Sequence, residues 1–247
     1  MSGVFSRLRS CLVAFAVGST GLASSGEAVG QIVLSPKNAF AAQKGWNEAF
    51  MQGDALLQEG EIHGDVKLLA QAADIFRQQA LPLARRETRA NEWAQTQAKL
   101  GRAHLCIGAL TGNLTHFEEA VTAFRLVLKT SSRASAPTRW AVVQNNLGGA
   151  LLGIGKKTGQ VPTLKDAEAA FRLAMEVHTV QAAPKQWAEA QTNLGITHFL
   201  LGDLTGDTAY FLSAREELAL AQPLLAKSAA QSVAIIIKQV ERRIPAS

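Results

Sequence analysis

The chain has 247 residues, of which 47% are hydrophobic, 6% aromatic and 18% charged, with a formal net charge of +5. This hydrophobic content supplies a packed core and excludes wholesale disorder, while few aromatic residues and few β-branched runs count against an all-β fold. The basicity is mild: nucleic acid and anionic membrane are disfavoured as partners, and the clusters Arg85, Arg86, Arg89 and Lys238, Arg242, Arg243 read as solvated helix faces.

At the start of the chain, Arg7 and Arg9 precede an uncharged stretch from Ser10 to Ala23 whose apolar part gives way to small residues. That layout predicts a secretory signal peptide over residues 1–23, cleaved after Ala23 or after Ala28; an uncleaved anchor or leader is the alternative. The stretch is short of the roughly 20 residues a membrane span needs, so no stable transmembrane segment is expected after cleavage. The predicted location is the bacterial periplasm or the exterior. Cleavage removes two arginines and no acid, lowering the charge from +5 to +3, and removes Cys11, which leaves Cys106 without a partner for an internal disulfide. Residues 24–44 are predicted to be a flexible linker.

From residue 45 onward the chain repeats. The tryptophans are Trp46, Trp93, Trp140 and Trp187, each 47 residues after the last. Trp93, Trp140 and Trp187 each open the pattern W-A-x-x-Q-x-x-L-G, and Pro137 and Pro184 stand three residues before a tryptophan, where proline suits the first turn of a helix. First helices are predicted to end at Gly108, Gly155 and Gly202, with Gly112, Gly159 and Gly206 completing a tight turn; that is favoured over an anion-binding nest because the pair recurs in every unit. Second helices carry one apolar stripe each: Ala120, Phe124, Val127; then Ala167, Phe171, Ala174; then Ala214, Leu218, Ala221.

These units divide the chain into a degenerate first repeat (45–92), repeats over 93–139, 140–186 and 187–224, and a C-terminal capping helix (225–247). The first repeat lacks the tryptophan motif but keeps Gly60, Gly64, Ala72 and Phe76 after a one-residue shift. The last helix presents Val233, Ile236, Ile237, Val240 and Ile244 as an apolar stripe opposite Lys227, Gln231, Lys238 and Arg242.

The Leu-Gly pair in one helix followed by Ala-x-x-x-Phe-x-x-Ala in the next resembles the tetratricopeptide repeat, in its long bacterial form with W-A-x-x-Q-x-N-L-G. Asn146 and Asn193 match that asparagine, and Lys99 departs from it. The resemblance covers residues 46–222, and the 47-residue period exceeds the usual 34. HEAT and armadillo arrays have periods of about 40–47, and the Leu-Gly placement is what favours the tetratricopeptide reading. The resemblance implies an all-α fold, a right-handed α-solenoid of stacked antiparallel helix hairpins, whose groove binds a peptide or protein segment. Carried over by position, the groove lining would include Lys99, Arg102, Asn145, Asn146, Thr192 and Asn193. Asparagine amides would both donate to and accept from a ligand backbone, and the two cations would attract a carboxylate.

The expected role is therefore an interaction scaffold for an unidentified partner, or else a self-associating module whose groove is filled by its own N-terminal segment. No enzymatic activity, catalytic residue, metal or cofactor is expected. His63, His104, His116, His178 and His198 include no helical pair at four-residue spacing and have no cysteine cluster beside them, and phosphate-binding glycine loops are absent. His104 and His198, both eleven residues after a tryptophan, read as packing residues.

Overall fold

The structure, a computed structural model, describes residues 36–245. The signal-peptide segment lies outside them. In chain order come α1 (Pro36–His63), α2 (Val66–Ile75), a π-helical turn (Phe76–Ala80), the short α3 (Leu81–Leu83), α4 (Ala90–Thr111), α5 (Leu114–Leu128), α6 (Pro137–Thr158) and α7 (Val161–Met175). Then follow α8 (Pro184–Thr205), α9 (Thr208–Ala221), a 3-10 turn (Gln222–Leu224) and α10 (Lys227–Glu241). Among the described residues there is no strand, and no helix is long and apolar enough to cross a membrane. Because α1 begins at Pro36, residues 36–44 are its opening turns and not part of a linker.

Helices pack in neighbouring pairs: α1 with α2, α4 with α5, α6 with α7, and α8 with α9. Each second helix also packs on the next first helix, and successive first helices touch one another. The ends follow from local chemistry. Pro137 and Pro184 open α6 and α8, where a missing N–H leaves no bond unmade. The first helices do not end at Gly108, Gly155 and Gly202; they run three residues further and close on Gly112, Gly159 and Gly206, at φ of 70°, 70° and 73°. Each capping N–H donates to the carbonyl of the earlier glycine, at 2.8, 2.8 and 2.9 Å. Only the second glycine of each pair needs the left-handed backbone.

The earlier glycines serve close packing instead. A Cβ built on Gly108 would lie 3.0 Å from the Phe117 ring, one on Gly155 would lie 2.5 Å from Leu164, and one on Gly202 would lie 2.7 Å from Phe211. The Leu-Gly glycines are seated in the same way: Cβ atoms on Gly101, Gly148 and Gly195 would meet Phe124, Phe171 and Leu218 at 2.7–2.8 Å. A bare glycine surface thus lets a second-helix phenylalanine or leucine side chain lie against the first-helix backbone. The predicted stripes are fully buried, with Ala120, Phe124, Val127, Ala167, Phe171, Ala174, Ala214, Leu218 and Ala221 all at 0% exposure. Truncating a fully buried phenylalanine of this kind costs about 3–5 kcal/mol. Val233, Ile236 and Val240 of α10 cover the end of this core, with Ile237 and Ile244 partly buried against it.

The first hairpin repeats these contacts, since Gly53 lies against Phe76 and Gly60 against Leu69. Gly53 precedes Gly101 by 48 residues, however, whereas the later steps to Gly148 and Gly195 are 47. The extra residue can be located. Buried stripe residues are three apart in Phe124–Val127, Phe171–Ala174 and Leu218–Ala221, but four apart in Phe76–Ala80, which are the two ends of the π-helical turn. A wider turn absorbs one residue and returns the helix to register. As a result Trp46 is not the counterpart of Trp93: Gly45 is, and Trp46 occupies the place of Ala94, Ala141 and Ala188. It is buried there, stacks on Phe50 at 4.9 Å between ring centroids, and donates its indole N–H to Thr96 Oγ1 of α4 at 3.0 Å.

Candidate functional site

The six residues carried over as groove lining all lie on first helices. Lys99, on α4, is paired with Asp54 of α1. Arg102, one turn on, forms a forked pair with Glu61 of α1, its Nη2 donating to Glu61 Oε2 at 2.7 Å. Burial works against the Arg102 charge, yet the hydrogen bond and the negative charges of Glu61 and Glu189 hold its pKa above the usual arginine value. The two cations are therefore committed to acids of the chain itself, and Lys99 and Arg102 do not stand as open carboxylate receptors. Cys106 donates from Sγ to Glu61 Oε1 at 3.4 Å, and burial, with the Glu61 charge beside it, pushes its thiol pKa above the ordinary range.

Asn145 and Asn146 on α6, and Thr192 and Asn193 on α8, are all buried. Thr192 turns its hydroxyl back to the Ala188 carbonyl at 2.7 Å, which removes it as a ligand donor. Asn145 differs, because its Oδ1 is buried and accepts no hydrogen bond. Three further buried polar residues of these helices were not among the predicted lining: Gln144, Gln191 and Glu189. The glutamines belong to the W-A-x-x-Q pattern, so their recurrence was a signal; nothing in the sequence marked Glu61 or Glu189 as partners of an arginine on a different hairpin.

A second polar cluster lies at the joints between hairpins. His104 on α4 is 4% exposed; its Nε2 accepts from Arg77 Nη2 at 2.9 Å, and its Nδ1 lies 2.9 Å from His116 Nδ1 and 2.9 Å from Glu119 Oε2. Arginine only donates, so the His104 proton sits on Nδ1. Burial, with the Arg77 and His116 charges adding to it against an opposing Glu119, lowers its pKa to about 4. His198, at the same place on α8, meets carboxylates on both sides: Nδ1 is 2.8 Å from Glu217 Oε2 and Nε2 is 3.3 Å from Glu168 Oε1. Burial opposes the charge of Glu168, but Lys165 and His198 outweigh it and lower its pKa. His104, expected to be a packing residue, is buried and stacked on His116, and it also belongs to a polar cluster because α5 brings His116 and Glu119 to it. The sequence signal was the H-x-x-E spacing of His116 and Glu119, which a search for histidine pairs alone passes over.

Three of the six residues in the basic clusters are engaged within the chain. Arg89 donates to the Leu83 carbonyl at 3.0 Å and to Gln43, Arg86 lies over the Trp93 ring, and Arg243 pairs with Asp203 at 2.9 Å. Compared with known proteins, the chain matches no family model, no curated protein and no solved structure.

Proposed function

We propose that the hairpins form a right-handed, tetratricopeptide-like solenoid that holds an extended peptide or protein segment against its first helices, and that the protein acts by binding and not by catalysis. The observation that carries this reading is Asn145 Oδ1, an acceptor buried without a donor on the first-helix face. An unsatisfied buried acceptor costs about 1–3 kcal/mol, a cost that a ligand backbone N–H would relieve. Arg102 supports a curved inner face: it feels the charge of Glu61 one hairpin before it and of Glu189 two hairpins after it. The layout from Arg7 to Ala23 supports export.

The test is Asn145→Leu, measured both for stability and for binding of a peptide selected from a random library by the purified wild-type protein. If Oδ1 waits for a ligand, the variant melts no lower than wild type and binds the peptide at least tenfold more weakly. A variant that melts lower while retaining full affinity would assign Asn145 to the internal structure and remove it from the binding face.

A further inference from the structure

We propose that His104, His116 and Glu119 form a three-ligand site for a first-row divalent cation of the zinc type, gated by Arg77. The site lies where the π-helical turn, α4 and α5 meet and is independent of the binding reading above. His116 and Glu119 stand at i and i+3 on α5 and share one face, while His104 faces them from α4 across a turn fixed by the left-handed Gly112 and by the Asn113 side chain, which accepts from Thr115 N–H at 3.0 Å. The three donor atoms are already gathered: Nδ1 to Nδ1 is 2.9 Å, His104 Nδ1 to Glu119 Oε2 is 2.9 Å, and His116 Nδ1 to the same oxygen is 3.6 Å. Ligands at about 2.0–2.1 Å from a tetrahedral zinc ion are about 3.3 Å apart, so each edge needs to change by only about 0.3–0.4 Å. Two imidazole nitrogens and one carboxylate oxygen suit zinc or cobalt and leave one coordination position for water.

Access exists, since His104 and Glu119 line a depression of about 320 Å³ together with Arg77, Thr115, Glu118 and Thr122. In the metal-free protein the point between the three donors is held by the His104 Nδ1 proton, aimed at both the Glu119 carboxylate and the His116 lone pair. A metal ion on Nδ1 requires that proton to move to Nε2, where Arg77 already donates. Two donors cannot face each other, so Arg77 must swing away. It is half exposed and keeps a second contact with Glu119 Oε1 at 3.3 Å, so the swing is open to it. Metal and guanidinium therefore compete for His104, which makes Arg77 an inhibitor of binding. A neutral acceptor in its place would support the Nε2 proton, as the outer partners of ligating histidines usually do.

The experiment is calorimetric titration of the untagged full chain with Zn²⁺ alone, followed by Co²⁺ absorption spectra. Expected are one saturable equivalent and a tetrahedral cobalt spectrum, at least tenfold weaker binding in His116→Ala and in Glu119→Gln, and about tenfold tighter binding in Arg77→Gln. His116 and Glu119 are partly exposed, and circular dichroism of each variant checks that it is folded. Absence of saturable binding in both wild type and Arg77→Gln would overturn the site, as would undiminished binding in the folded His116→Ala, Glu119→Gln double variant. Equal affinity in wild type and Arg77→Gln would overturn the gate.

Discussion

The first and third hairpins use the same packing device with different bookkeeping of residues. In α6–α7, Gly148 lies under Phe171 and the stripe continues to Ala174 three residues on; in α1–α2, Gly53 lies under Phe76 and the stripe continues to Ala80 four residues on, through a π-helical turn. The joints to the next hairpin differ as well. Glu168 of α7 reaches His198, whereas its place three residues before the stripe phenylalanine is Ala73 in α2, and Arg77 of the π turn reaches the equivalent His104. What is held constant is the glycine-to-ring contact, and what varies is the polar chemistry at the joint.

The largest expected effect breaks the glycine contact. Gly148→Leu drives a side chain into Phe171 in the middle of the chain and should abolish the cooperative thermal transition, with several kcal/mol lost. The same change at Gly53 strikes the first hairpin, which among the described residues has a neighbour on one side only, and should cost that hairpin while the rest still melts cooperatively. Circular dichroism melts decide between them; equal damage would mean that the hairpins fold as one indivisible unit.

An intermediate effect sharpens the contrast between joints. His104 is held at a pKa of about 4 against an ordinary 6.5, so the unfolded chain binds the extra proton first as pH falls between these values. Acidification from pH 7 to 5 should then destabilise the first joint by roughly 2 kcal/mol. His178, whose pKa burial also lowers, adds a loss of the same sign. Urea denaturation at the two pH values should show a smaller difference in His104→Gln than in wild type. An unchanged difference would assign the pH dependence elsewhere.

The smallest effect concerns the extra residue itself. Deleting the exposed Gln78 should convert the π turn to α-helix, restore the three-residue step and change stability by less than about 1 kcal/mol. Loss of the first hairpin on deletion would place the additional residue outside that turn.

Much of this was legible in the sequence because repeated small residues have few physical uses. The glycine spacings, the prolines before Trp140 and Trp187 and the second-helix stripes each located a helix or its buried face. The four-tryptophan period misled at one point: Trp46 falls on the 47-residue count only because counting residues cannot see a turn that holds one more than its neighbours. The role assigned to the earlier glycine of each pair failed for a related reason, since a cap and a close approach ask for the same residue and only the backbone angle separates them. Within the candidate site, Asn145 was legible as a position on a repeated face. The engagement of Lys99 by Asp54 and of Arg102 by Glu61 was not, because those partners lie on another hairpin and follow no repeat.

The turns at Gly112, Gly159 and Gly206 share nearly one backbone angle although the residues after them, Asn113, Gln160 and Asp207, differ, and only Asn113 and Asp207 cap the following helix with a side chain. The elbow of each of these units is therefore set by its left-handed glycine together with the threonine before it, Thr111, Thr158 or Thr205, whose hydroxyl accepts from the N–H two residues on at 3.2, 3.4 and 3.2 Å. The residue after the glycine can change in charge and size while the turn is kept, so this edge of the molecule can acquire new surface chemistry without altering how each pair of helices closes.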